Sequence, residues 1–327
     1  MQRTLTAALL GLVLAPLLGG CADRGDTAVI KLAHNLDASH PVHRAMEFMG
    51  ERLAEKSGGT MRIDIYPGGQ LGSERETLEL LQIGSLGMTK VSSSVLEGFA
   101  PAFRVFGLPF LFRDDAHRFA VLEGPVGRQL LAEPEKFRLR GLTYYDAGSR
   151  SFYTVRRPVH RPEDLAGLKI RTQESAVAMQ MVRSLGGAAT PIAWGEVYTA
   201  LQQGVVDGAE NNPPSFHLSR HYEVARYFTL NEHTAVPDVL VISTEVWDDL
   251  TPQQQRWVQE AADESAEFQR RLWKEATEEA LREVEAAGVQ VIRPDKRAFA
   301  EKGARLLESF RGDPVVGPLI RHIQAVR

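Results

Sequence analysis

Apolar positions along the first third of the chain switch between a period of two and a period near 3.6. Val29 to Ala33 reads as a strand, after which Val42, Met46, Met49 and Leu53 recur at helical spacing until Gly58-Gly59 stops the helix. Met61, Ile63 and Ile65 alternate as a second strand, turned by Pro67-Gly68-Gly69. Ser73 and Glu76 have the spacing of a capping box, in which each reaches an otherwise unpaired backbone N–H of the other. That predicts a helix from there through Leu81, with Glu74 in its first turn. Met88 to Val91 is the next strand, and it carries a charge, Lys90, within an apolar run.

The alternation continues. Leu142 to Tyr145 and Phe152 to Val155 read as extended segments on either side of Asp146-Ala147-Gly148-Ser149-Arg150, a polar crossing with the small residues that a hinge tolerates. Asp164 to Gly167 leads into the strand Leu168-Lys169-Ile170-Arg171. Ser175 caps a helix ending at Gly186-Gly187, and Gly195 to Gln202 forms a short helix stopped by Gly204. Val205 and Val206 then enter Asp207-Gly208-Ala209-Glu210-Asn211-Asn212-Pro213-Pro214. Strands alternating with helices predict α/β lobes whose sites gather at the carboxyl ends of strands, and Arg150 and Asn211 are expected at such ends.

One helix is expected to be unusually long. Thr251-Pro252-Gln253-Gln254 supplies a capping threonine and a proline at the first helical position. Trp257, Ala261, Phe268, Leu272, Ala276, Ala280 and Val284 then keep a spacing of three to four until Gly288. Unbroken, it would measure about 50 Å at ~1.5 Å per residue, longer than one lobe. Two helices meeting at a kink is the alternative, although no Pro or Gly inside the run would cause one.

Composition changes the picture mainly at the amino terminus. The 327 residues are 43% hydrophobic, enough for two lobes with their own cores, and a net charge of −4 excludes a nucleic-acid surface. Arg3, an apolar run from Leu5 to Leu18, and Leu18-Gly19-Gly20-Cys21 have the order of an export signal, too short for a membrane span of about 20 residues. Cys21 is the single cysteine, so the exported chain folds without disulfides. Residues 1–21 resemble a lipoprotein-type signal peptide ending at a lipobox cysteine, with Cys21 the residue lipidated; an ordinary secretory signal is the alternative.

Candidate chemistry centres on Arg171, at the mouth of its strand. A guanidinium there is a permanently charged fork matched to a carboxylate, which points to capture of an acid, but the residue alone leaves an interdomain salt bridge equally open. Lys90 is harder to read as structural, because a buried unpaired ammonium is costly. Glu74 is favoured by the dipole at its helix start without any ligand. Trp194 fits a core as well as a ligand platform, and Asn211-Asn212 fits a turn before Pro213-Pro214. His34 and His40 fit solute binding as well as packing; with His43 they lack a second cluster that would make a metal site, and no nucleophile elbow or phosphate loop occurs.

Gly69-Gln70-Leu71-Gly72, Phe106-Gly107-Leu108-Pro109-Phe110-Leu111-Phe112, Leu168 to Arg171, and Tyr198 through Gly208 together resemble the solute-binding proteins of tripartite ATP-independent periplasmic (TRAP) transporters, the DctP-like family. The resemblance covers the chain from about Val29 onward. It implies a periplasmic-binding-protein-like α/β fold: two lobes closing over a solute in a central cleft, with the long helix spanning both. The lobes implied are 25–148 with 237–276, and 149–236 with 277–327. By the same resemblance Arg171 pairs with the solute carboxylate, Arg150 reaches the same acid, Asn211 hydrogen-bonds near it, Trp194 packs on the ligand, and Asn35 and Glu74 face the cleft.

The stretch Asp207 to Phe216, with Ser219 to Val224, is similar to the branch that takes hexuronates such as D-glucuronate and D-galacturonate. The expected partners are therefore a small sugar acid and the integral-membrane TRAP subunits, in the periplasm, with membrane attachment through lipidated Cys21 and no cofactor or metal. His34, Glu74, Lys90, Glu210 and Asn212 are candidates for the hydroxyls. A C4-dicarboxylate is the nearest alternative, with Lys90 as its second cation. From other classes, Glu74 and His34 suggest the acid–base pair of a lyase or epimerase, and a sensing adaptor would share the same closure.

Overall fold

The computed structural model describes residues 27–327, so the expected signal segment and Cys21 lie outside the described residues. Eleven strands form two sheets. In chain order they are β1 (Ala28–Ala33), β2 (Met61–Tyr66), β3 (Met88–Ser92), β4 (Leu139–Tyr145), β5 (Arg150–Thr154), β6 (Lys169–Thr172), β7 (Ala188–Pro191), β8 (Gly208–Asn211), β9 (Tyr227–Thr234), β10 (Asp238–Ser243) and β11 (Gln290–Ile292).

The first sheet has the order β2-β1-β3-β10-β4, and the second β11-β9-β5-β8-β6-β7. The chain passes between them twice within a few residues, from β4 to β5 and from β9 to β10. Both strands reached first on the far side run antiparallel to the strands between which they are inserted: β5 against β8 and β9, and β10 against β3 and β4. A strand inserted in that sense begins at the edge where its neighbours end. Arg150 opens β5 and Asp238 opens β10, so both arrive at the carboxyl-end edge from the opposite direction. The expectation that Arg150 follows the end of a strand is corrected here: it lies at the same edge, but as a first residue. Asn211 does end β8, as expected.

The long helix is a single element, Pro252–Ala286, 35 residues without a break. Thr251 and Gln254 form the reciprocal capping box at its start, and Pro252 takes the first turn, where no backbone donor is lost. Val258, Ala261, Ala262 and Trp273 pack into the core of the first sheet with Ile30, Leu32, Met46, Leu53 and Leu240. Val284 reaches the core of the second sheet beside Tyr153, Phe216 and Phe228. The helix therefore bridges both lobes.

Its buried stripe differs from the one read in the sequence. Trp257, Phe268, Leu272 and Ala276 are only half-buried, whereas Ser265 and Gln269 are fully buried. Polar side chains are tolerated there because each is satisfied. Ser265 Oγ meets the Tyr145 hydroxyl at 2.8 Å. Gln269 accepts from the Asp146 backbone N–H and donates to the Asp146 carbonyl, both at 2.8 Å. The first crossing is thus pinned to the long helix at a single residue.

Candidate functional site

A cavity lies between the two sheets where the crossings, the ends of the parallel strands and the long helix converge. Arg150, Arg171, Asn211, Asn212 and Trp194 line it from the second sheet, and Asn35, Glu74 and Lys90 from the first. Two other residues singled out from sequence, His34 and Glu210, do not line it.

Arg171 is the third residue of β6 and 2% exposed. Its Nε donates to the Ile192 carbonyl at 2.8 Å, which fixes the plane of the guanidinium, while Nη1 is buried with no partner among the described residues. Burial is the main reason its pKa is lowered, and the nearby Arg150 charge acts the same way, against the raising influence of Tyr153 and Glu210. The Trp194 ring lies 5.8 Å from the guanidinium carbon and also borders the cavity. A buried guanidinium with an idle face is poised for an anion.

Arg150 is held differently. Its Nε and Nη2 clasp the Glu210 carboxylate, Nη2 to Oε1 at 2.9 Å, and Nη2 also donates to the Glu210 carbonyl at 2.7 Å. Nη1 donates to Asn211 Oδ1 at 2.9 Å, which leaves one of its two N–H groups uncommitted within the described residues. Glu210 sits behind the arginine. Burial alone would raise its pKa, but Arg150 and His233 hold it down to about 2, so it stays ionised and cancels the Arg150 charge. Sequence pattern placed Glu210 among the solute's partners because it neighbours Asn211. Successive residues of β8 face opposite sides of the sheet, and that turns Glu210 away from the cavity.

His34 is similarly displaced. Its Nδ1 accepts from the Leu36 N–H at 3.2 Å, its Nε2 meets His43 Nδ1 at 2.9 Å, and His43 Nε2 lies 3.3 Å from Glu47 Oε1. This chain of contacts uses both ring nitrogens of His34, which does not line the cavity. Burial is the main cause lowering its pKa to about 3.

The wall from the first sheet is built around Lys90. Its ammonium is 3.1 Å from Glu74 Oε1 and 3.2 Å from Asp238 Oδ2. Burial would lower its pKa, and the two carboxylates outweigh this and raise it. Glu74 is oriented further by accepting from the Ser92 N–H at 3.2 Å, and its helix start is set by the expected Ser73–Glu76 capping box. One cation against two carboxylates leaves this wall with a net charge of −1. Asn35 adds a buried Oδ1 with no partner among the described residues. Asn212 borders the cavity while its Oδ1 caps the helix Pro213–Leu218 through the Ser215 N–H at 2.8 Å.

Sequence reading missed Asp238, Ser215, Gln173 and Trp273 as cavity residues, and it left His40 open between binding solute and packing. Two of these carry a legible signal. Pro237-Asp238 opens the apolar run Val239 to Ile242, a charge at a strand start comparable to Arg150. His40 precedes Pro41, and a proline at the first helical position marks the residue before it as the cap.

The chain matches the model of the DctP family, described as bacterial extracellular solute-binding protein, family 7, over residues 32–313. Among solved structures it is similar to a TRAP periplasmic solute-binding protein from Xanthobacter autotrophicus Py2 with bound β-D-galacturonate, at 41% identity and a TM-score of 0.88, covering 91% of this chain and 100% of that one. It is similar also to one from Pseudomonas putida F1 with bound D-glucuronate, at 37% identity and a TM-score of 0.88, covering 91% and 97%. A curated relative, the C4-dicarboxylate-binding periplasmic protein DctP of Rhodobacter capsulatus, is 32% identical over 88% of this chain and 86% of its own length. With two α/β lobes, a bridging helix and a guanidinium-floored cleft, the chain belongs to the DctP family of TRAP solute-binding proteins.

Proposed function

We propose that this protein captures a hexuronate, D-glucuronate or D-galacturonate, in the cleft and passes it to the membrane subunits of a TRAP transporter. The observation that carries this reading is the polarity of the cavity: an uncompensated guanidinium at Arg171 faces a wall of net negative charge made by Glu74, Lys90 and Asp238. A carboxylate is bound at Arg171, with the uncommitted N–H of Arg150 and the side chain of Asn211 beside it. The hydroxyls donate to Glu74, Asp238 and Asn35 Oδ1, and Trp194 covers the apolar face of the pyranose ring.

The same polarity disfavours a C4-dicarboxylate. Lys90 is the residue that would meet a second carboxylate, and it is already neutralised by two acidic side chains. A dianion would bring a like charge against the net −1 wall. Turnover is disfavoured because His34 is committed to Leu36 and His43, so it forms no acid–base pair with Glu74. The relatives bound to galacturonate and glucuronate support the sugar-acid class.

The working cycle is capture by closure about the crossings at 146–149 and 235–237, between lobes 25–148 with 237–276 and 149–236 with 277–327. Solute shifts the balance toward the closed form only by its preference for that form. Cys21 is the site of a lipid anchor holding the protein at the periplasmic face of a membrane. A thermal-shift screen of D-glucuronate, D-galacturonate, succinate, malate and D-glucarate tests the assignment, because a solute that binds only the native state raises the melting temperature. The two uronates are expected to do so; a response to the dianions alone would overturn it.

A further inference from the structure

The cationic donors of the cleft, Lys90, Arg150 and Arg171, and the acidic acceptors, Glu74 and Asp238, leave the neutral ring of His40 without a role. His40 is 3% exposed, borders the cavity, and has its ring centre 5.7 Å from that of Trp273. It is also the N-cap of the helix Pro41–Lys56, where its Nδ1 accepts from the Val42 N–H at 3.3 Å. A nitrogen that accepts cannot carry the proton in the neutral ring, so the proton sits on Nε2. Nε2 is the atom turned toward the other lobe, 3.4 Å from Ser215 Oγ. That separation is longer than the usual ~2.7–3.2 Å for an N–H donor, so the donor is only loosely engaged.

We propose that His40 is a specificity residue of the cleft, a neutral imidazole whose Nε2–H hydrogen-bonds an oxygen of the bound sugar acid and which its own helix holds in that tautomer. The inference rests on the uronate reading and extends it to a residue outside the charged set. Capping gives the ring a fixed orientation before solute arrives, so little side-chain freedom is lost on binding. The groups facing the ring keep it uncharged. Burial is the largest influence, Lys90 and His43 act in the same direction, and Asp37 opposes them, which places its pKa at about 3. A neutral donor adds a hydrogen bond without adding to the positive charge of Arg171. It can therefore read a hydroxyl or ring oxygen, neither of which calls for a cation. Because Ser215 lies on the second-sheet side, solute entering between the two replaces a slack protein contact with a donor of its own on one lobe.

His40→Asn separates the two duties of the residue. Asparagine is among the strongest N-caps, so the helix start is retained, while its short amide does not reach the position of Nε2. Calorimetry is expected to give about tenfold weaker binding of D-glucuronate by His40→Asn, with the melting temperature of the solute-free protein unchanged. Affinity within about twofold of the wild type would overturn the role of His40 while leaving the uronate reading intact. Should the wild-type protein itself fail to bind D-glucuronate, the uronate reading falls and the His40 contact falls with it. Nitrogen-15 NMR of the histidine rings in the wild-type protein at neutral pH provides a second measurement. The Nε2–H form is expected with and without D-glucuronate, and the Nε2 proton resonance is expected to move on its addition. A ring protonated on Nδ1, or on both nitrogens, would overturn the proposal even if His40→Asn failed to fold.

Discussion

Arg171 and Arg150 are both buried arginines at one edge of one sheet, yet their surroundings assign them unequal work. Arg150 is neutralised by Glu210 and offers a single N–H, whereas Arg171 keeps its charge and the idle Nη1. Arg171→Ala is therefore expected to weaken D-glucuronate binding by at least about 100-fold, since a desolvated fork to a carboxylate contributes ~3 kcal/mol or more. Arg171→Lys is expected to recover only a small part, because a point charge lacks the second parallel donor. Calorimetry on both variants, with circular dichroism to check the fold, measures this; undiminished affinity in Arg171→Ala would sink the assignment. Residue identity was legible in the sequence where a motif carried it, as with Arg171 and Asn211. Facing was not. Glu210 and His34 stand one residue away from cavity-lining neighbours, and only the pleat of β8 and the contacts after β1 decide which way each side chain turns. Asp238 is legible as a strand start after Pro237, but the antiparallel insertion that brings that start to the cleft is announced by no local pattern.

At the scale of elements, most helices and the parallel strands follow from period and caps. The Ser73–Glu76 and Thr251–Gln254 boxes form as their spacing predicts, and Gly186, at a φ of 110°, ends the helix Ala176–Leu185 as a residue without Cβ readily does. The buried stripe of the long helix was misread because it passes through Ser265 and Gln269, and polarity hides burial from any hydrophobic count. Gln269 links two elements through the backbone of Asp146. Gln269→Leu keeps the shape but leaves a part-buried N–H and C=O of Asp146 unpaired, so a loss of about 1–2 kcal/mol in unfolding free energy is expected. Urea denaturation checks the magnitude. D-Glucuronate affinity is expected to fall as well, because the crossing loses its fixed seat; a variant of unchanged stability would mean that the pin carries no load.

For the whole molecule, buried histidines set the response to acid. His34, His40 and His221 are each held near a pKa of about 3, with burial the largest cause. In the unfolded chain these rings titrate near 6.5, so the unfolded state binds more protons anywhere between the two values. The stability they confer is complete above the unfolded value and drains away as the pH falls toward the folded one. Each ring contributes a slope of up to about 1.4 kcal/mol per pH unit in that window. Glu210, depressed to about 2, adds to the loss at lower pH, once the unfolded carboxyl begins to protonate. Urea midpoints are expected to drop steeply from pH 6 to 4, with an uptake of about three protons on unfolding; a flat profile would show that these rings are charged or hydrated in the native protein.

Both crossings deliver a charged residue to the cleft at once, Arg150 at the start of β5 and Asp238 at the start of β10. In a rigid rotation, displacement grows with distance from the axis. Side chains that follow immediately after the pivots therefore travel least, while residues farther out, such as Trp194 in its helical turn Trp194–Glu196, sweep longer arcs. In the proposed closure about the crossings, Arg150 and Asp238 are thus nearly stationary, and the hydrogen bonds they offer a solute keep nearly the same place whether the jaws stand apart or together. Contacts nearest the axis are set in advance, and those farther out are completed by closure.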